Sequence, residues 1–198
     1  MLYPKSIALL IDNFQKLPSV GEKTAERMAL SILNMDEDEV IQFSDTLKEV
    51  KEKIRPCSIC NNITDQEKCI ICVDKHRNEK ELCVVCDPKD IISIEKANIY
   101  KGKYFVLNNL ISPLNGVSPE SINFDSLLRL IEENEVNEVI LALKSTIEGE
   151  TTALYIRKIL EEKPVKVTKL ASGLPLGIEI EYIDALTLER AIIDRTSL

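Results

Sequence analysis

The sequence predicts an α/β protein: a mostly parallel sheet covered by helices, preceded by a small helical region and a short cysteine-rich module. Three observations carry that prediction. From residue 80 onward, apolar runs alternate with amphipathic stretches in strand–helix order. Over residues 1–55 the apolar positions recur at three and four instead. Between these patterns Cys57, Cys60, Cys69, Cys72, Cys83 and Cys86 crowd together, and they are all six cysteines of the chain.

Composition narrows the class. The 198 residues are enough to bury a real core without a disulfide scaffold. A hydrophobic fraction of 44% and a charged fraction of 29% are globular values, which excludes a disordered or collagenous chain. Met1 to Leu10 lacks the basic start and long apolar stretch of a signal peptide. Apolar runs such as Val139 to Leu143 are too short to span a membrane. A soluble intracellular protein is expected, in which cysteines serve as metal ligands or buried thiols. The net charge of −8 argues against nucleic acid as a partner. That charge is uneven, however. Residues 1–33 carry +1 and residues 81–198 carry −6.

In the first region Ile7, Leu10, Ile11, Phe14 and Leu17 form one helical stripe, broken by Pro18-Ser19-Val20-Gly21. A second helix carries Ala25, Met28, Ala29, Ile32 and Leu33. A third starts near Asp36, with Glu39 placed for a capping box, and is expected to bury Val40, Phe43, Leu47 and Val50. The second region, residues 56–79, is polar and apolar-poor and cannot fold by burial alone. In the third, strands are expected at Leu82–Cys86, Tyr104–Leu107, Glu138–Leu143, Val165–Leu170 and Ile178–Ile183. Helices are expected at Ser126–Asn134 and Glu150–Glu161.

Cys57-x-x-Cys60 and Cys69-x-x-Cys72 are two knuckles eight residues apart. Each lets two thiolates face one ion from a tight turn, and the loop between can fold back to complete a tetrahedron. Four thiolates suit zinc, and a closed shell makes the site structural rather than catalytic. Cys83 and Cys86 form a third pair inside Leu-Cys-Val-Val-Cys. Residues three apart on a strand face opposite sides, so these two read as buried thiols. His76 reads as a surface histidine, because four cysteines already fill the site.

Leu17-Pro18-Ser19-Val20-Gly21-Glu22-Lys23-Thr24-Ala25 resembles the turn of helix-hairpin-helix DNA-binding motifs. Such a turn exposes backbone N–H groups that hold a phosphate without reading sequence. The candidate DNA contacts are Ser19, Gly21, Lys23 and Arg27, with Lys23 and Arg27 one helical turn apart. Ser19 stands where the motif has its first glycine and, if that position needs a positive φ, adopts it with strain. The bland alternative is a plain helical turn with solvated cations.

Leu82 to Pro88 and Val139 to Glu150 are similar to the two strand ends that carry the magnesium-binding acids of Toprim domains, a Rossmann-like α/β fold. Cys86 stands at the glutamate, and Lys144 and Thr146 stand at the two aspartates. Only Glu148 and Glu150 of the second motif remain. A lysine opposes a cation, so no catalytic residue is assigned. A magnesium-dependent nuclease, primase or topoisomerase is the competing reading.

A helix-hairpin-helix, a four-cysteine zinc finger and a Toprim domain, in this order and at this length, resemble the RecR family of bacterial recombination mediators. Ser112-Pro113-Leu114-Asn115-Gly116 and Gly173-Leu174-Pro175-Leu176-Gly177 match it further. The resemblance implies a DNA-binding and oligomerisation domain at 1–55, a zinc finger at 56–79 and a Toprim domain at 80–177, with a C-terminal oligomerisation segment at 178–198. It implies a non-catalytic, cytoplasmic, nucleoid-associated protein that binds DNA and forms a dimer or tetrameric ring. It also implies action with RecO, and in some systems RecF, to load RecA onto single strands coated with SSB. Glu148 and Glu150 are the candidate contacts for a basic RecO-type partner. The bland alternative is that both favour a helix N-terminus. Leu110, Ser172 and Ile178 depart from the family pattern, as Ser19, Cys86 and Lys144 do.

Overall fold

The computed structural model describes residues 3–171, 174, 177–193 and 195. The chain divides into two compact units, one ending at Ile54 and one starting at Arg55.

The first unit is three helices: α1 (Lys5–Gln15), α2 (Glu22–Ile32) and α3 (Glu37–Lys53). Helices α1 and α2 pack closely because Ala25 and Ala29 present almost no side chain to Ile11. Ile7, Leu10, Phe14 and Val20 close around this small core. Asp36 and Glu39 form the expected capping box at the start of α3. The expected burial along α3 is not found. Val40 is half-buried, but Phe43, Leu47 and Val50 are 43, 59 and 54% exposed. An amphipathic stripe is buried only when another surface covers it, and within the first unit α1 and α2 bury no residue of α3.

The second unit opens with the cysteine module. Strands β1 (Arg55–Pro56) and β2 (Ile63–Thr64) pair antiparallel, and the one-turn α4 (Ile70–Val73) follows. Next come β3 (Asn78–Val85), α5 (Pro88–Ala97), β4 (Gly102–Val106), α6 (Phe124–Glu133), β5 (Glu138–Ala142), α7 (Ile147–Ile159), β6 (Lys166–Lys169) and α8 (Ala185–Ile193). The four long strands form one parallel sheet in the order β4-β3-β5-β6.

Strand alternation divides the core in two. Leu82, Val84 and Phe105 face Leu127 and Ile131 of α6 and Ile156 of α7. Cys83, Val85, Tyr104 and Val106 face Ile91 of α5 and the cysteine module. Both faces of the central strand are thus covered, as a parallel sheet requires.

Four of the five expected strands form, within a few residues of their expected limits. The fifth, Ile178–Ile183, does not. A 3₁₀ turn at Ile180–Tyr182 runs instead into α8. Its apolar–acidic alternation imitates a strand, but Asp184 starts a helix by accepting from the Thr187 N–H at 2.9 Å and hydroxyl at 2.7 Å. The α5 helix went unpredicted, although Asp87-Pro88 and Asp90 form a capping box with proline in the first turn. Helices α6 and α7 begin two and three residues earlier than expected, where Asn123 and Thr146 cap them. Ser172, Gly173, Pro175 and Leu176 lie outside the described residues.

Candidate metal centre and nucleic-acid interface

The four knuckle sulfurs converge. Their ligand atoms all lie within 4.8 Å of one another, with Cys57 to Cys72 at 3.8 Å and Cys60 to Cys69 at 3.6 Å. Four sulfurs placed tetrahedrally at ~2.3 Å from one zinc would be about 3.8 Å apart. The donor set therefore fits a closed four-thiolate site and could hold a metal ion. Turn geometry produces the convergence. Asn61 adopts φ 59° directly after Cys60, and the Asn61 N–H bonds back to the Cys57 carbonyl at 3.1 Å. The Cys69 N–H points at the Cys57 sulfur at 3.2 Å. The neighbouring Cys60 S–H holds Cys69 well below the ordinary thiol range. His76 is exposed and outside the cluster.

The third cysteine pair behaves differently. Cys83 lies in the sheet core, where burial pushes its thiol up to about 12. Cys86 is raised by burial against the opposing pull of Lys144.

The hairpin has an open helix start. Gly21 caps α2 without any side-chain acceptor for the first-turn N–H groups. A Cβ added at Gly21 would meet nothing within 4 Å. Lys23 and Arg27 are exposed on α2, while Ala25 and Ala29 of the same helix face α1. Ser19 holds φ 66°, the left-handed region in which a side chain is strained. Gly21 has φ −82° and needs no glycine on conformational grounds.

At the C-terminal ends of β3 and β5, the acids are committed to local structure. Asp87 accepts from the Lys89 N–H at 2.9 Å, which holds its carboxyl below the usual range. Glu148 and Glu150 occupy the first turn of α7. The backbone N–H of Glu148 and the Thr146 hydroxyl depress the Glu148 carboxyl. Glu150 bridges Lys169 of β6 at 2.8 Å and Arg190 of α8 at 3.6 Å. That engagement was not legible in the sequence, because the three residues meet only through the fold. Gly149 is obligatory here, since a Cβ would sit 1.9 Å from the Lys144 carbonyl oxygen.

Sequence reasoning also missed Lys103. It is 7% exposed, and its ammonium reaches the carbonyls of Ile71, Cys72 and Asp74. The available signal was one cation inside an otherwise apolar strand, Gly-Lys-Tyr-Phe-Val.

Known proteins align with this arrangement along its length. Residues 7–51 match the RecR helix-hairpin-helix family model, 80–171 the Toprim domain and 173–196 the RecR C-terminal model. The recombination proteins RecR of Staphylococcus aureus strains JH9, Newman and USA300 are each 47% identical over 198 residues, all of both chains. With that identity from end to end, and hairpin, Toprim and C-terminal models in succession, the chain belongs to the RecR family.

Proposed function

We propose that this chain is a non-catalytic recombination mediator that binds the DNA backbone and serves recombinational repair. It acts with a RecO-type partner, and in some systems RecF, to load RecA onto SSB-coated single strands in the bacterial cytoplasm. A homo-oligomer, dimer or tetrameric ring, supplies several weak DNA contacts at once and offsets the charge of −8. The four thiolates hold a structural zinc, which closes the module and leaves no coordination position for a reacting group.

The observation that carries this reading is the open N-terminus of α2 beside exposed Lys23 and Arg27, in a member of the RecR family. It supports phosphate binding without base readout. The competing enzymatic reading needs several carboxylates around magnesium. Among the described residues, the cysteine cluster is the one group of three or more ligand-type side chains close enough to share an ion. Cys86, Lys144 and Thr146 at the strand ends favour the mediator instead. For RecO-type docking, Glu148 is the better placed of the two glutamates, because Glu150 is already paired within the chain.

Fluorescence anisotropy with labelled single-stranded and duplex DNA, at two salt concentrations and with and without the RecO-type partner, tests this reading. Binding should fall steeply with salt, strengthen with the partner and weaken in Lys23→Ala. Binding by Lys23→Ala equal to wild type overturns the hairpin assignment. Magnesium-dependent nicking abolished by Glu148→Gln overturns the non-catalytic one.

A further inference from the structure

Strand β4 is an outer strand of the sheet, yet all five of its residues are buried. An outer strand normally leaves a row of unpaired N–H and C=O groups, an invitation to pairing with another chain. Here the cysteine module occupies that edge. The Val106 N–H donates to the Cys60 carbonyl at 2.8 Å. The Val106 carbonyl accepts from the Asn61 side-chain amide at 3.1 Å. Both groups lie in the first knuckle. Ile59, between Cys57 and Cys60, packs against the core clusters on both faces of the sheet. The module therefore wraps around the edge rather than lying on one side.

The second knuckle is held by Lys103. An ammonium has three N–H donors, and three carbonyls receive them: Ile71 at 3.0 Å, Cys72 at 3.0 Å and Asp74 at 2.8 Å. These carbonyls belong to α4 and the residue that ends it, where a helix carries unsatisfied acceptors and partial negative charge. Glu79 adds a longer ion pair at 4.0 Å. Cys72 thus has its backbone fixed by a residue of β4, and the Cys60 backbone fixes β4 in return.

We infer that the cysteine module is the edge cap of the sheet, and that Lys103 is the positioning residue coupling metal retention to order in β4. The inference rests on the four thiols being a metal site. Groups bonded to a metal ligand change metal affinity by about 10- to 100-fold, and Lys103 acts on the backbone that carries the Cys72 ligand. Metal loss should free the Val106 amide and expose the β4 edge.

The test uses the full-length zinc-loaded protein, zinc release to a chromogenic chelator, and amide hydrogen exchange. Lys103→Met should release zinc about 10- to 100-fold faster than wild type. Chelation should reduce protection of the Val106 amide at least roughly tenfold more than that of Ile140 in β5. Asn61→Gly keeps the left-handed turn and removes the amide donor. It should loosen Val106 while zinc content is retained, and with chelated wild type it carries the test if Lys103→Met does not fold. Release from Lys103→Met at the wild-type rate, or equal loss of protection in β4 and β5 on chelation, overturns the inference while the metal site stands. A wild-type chain that takes up no zinc overturns both.

Discussion

The unit ending at Ile54 and the unit starting at Arg55 solve the burial problem in opposite ways. The larger one has a central strand covered on both faces, and Leu82, Val84, Phe105, Leu127 and Ile156 are almost fully buried. The smaller one buries only Ile11, Ala25 and Ala29 among its described residues, while α3 leaves most of its apolar stripe open. A domain whose apolar area stays in water lacks the main stabilising term of folding. The contrast teaches that the α/β unit can stand on its own core, whereas α3 gains stability only from a surface that covers it.

Four measurements would break or sharpen that contrast. The largest effect is expected at the metal. Cys60→Ser should abolish zinc binding and melt the cysteine module, read as lost zinc stoichiometry and lost exchange protection across residues 57–72. Retained protection would mean that burial alone holds the module. Next, Leu127→Ala should lower stability to urea by about 2–5 kcal/mol, whereas Leu47→Ala in α3 should change monomer stability by no more than about 0.5 kcal/mol. Equal effects would erase the distinction between the units.

Smaller effects concern single groups. Ser19→Gly should relieve the left-handed strain and stabilise the first unit by about 1 kcal/mol or less, measured as a shift in Tm. The smallest effect is expected in acid. The Arg77 guanidinium, with help from the Tyr104 hydroxyl, holds the Glu95 carboxyl below its ordinary value of 4.5. A depressed carboxyl stabilises the fold fully above its unfolded value, and that stability is lost as pH falls through the folded one. The Tm difference between wild type and Glu95→Gln should therefore be constant near neutrality and shrink below pH 4.5. A difference that persists unchanged at lower pH would show that packing, not charge, explains the variant.

Much of this architecture was legible because its signals are local. The spacing of Cys57, Cys60, Cys69 and Cys72 needs no knowledge of tertiary structure, and neither do the capping box at Asp36 or the apolar runs of β3 and β5. What sequence could not supply is which surface each pattern meets. The α3 stripe looks like any buried stripe until its neighbours are known. Ile180-Glu181-Tyr182 alternates like a strand, but an alternating segment becomes one only beside an edge that accepts its hydrogen bonds. Glu150, Lys169 and Arg190 are distant in sequence and meet through the crossover topology. Lys103 is similar: its three acceptors lie about thirty residues earlier, on α4 and the residue that ends it.

The order of segments along the chain has a consequence for synthesis. All four thiols have been translated once Cys72 is in place, whereas β4 begins only at Gly102 and the second neighbour of β3 only at Glu138. A ribosome working from the N-terminus thus releases the four cysteines before the strand they border. The β4 edge emerges into a chain that already carries its bonding partners, Cys60 and Asn61. With zinc in the proposed four-thiolate site, a cell starved of it would meet its first difficulty with this protein on the nascent chain rather than in the folded product.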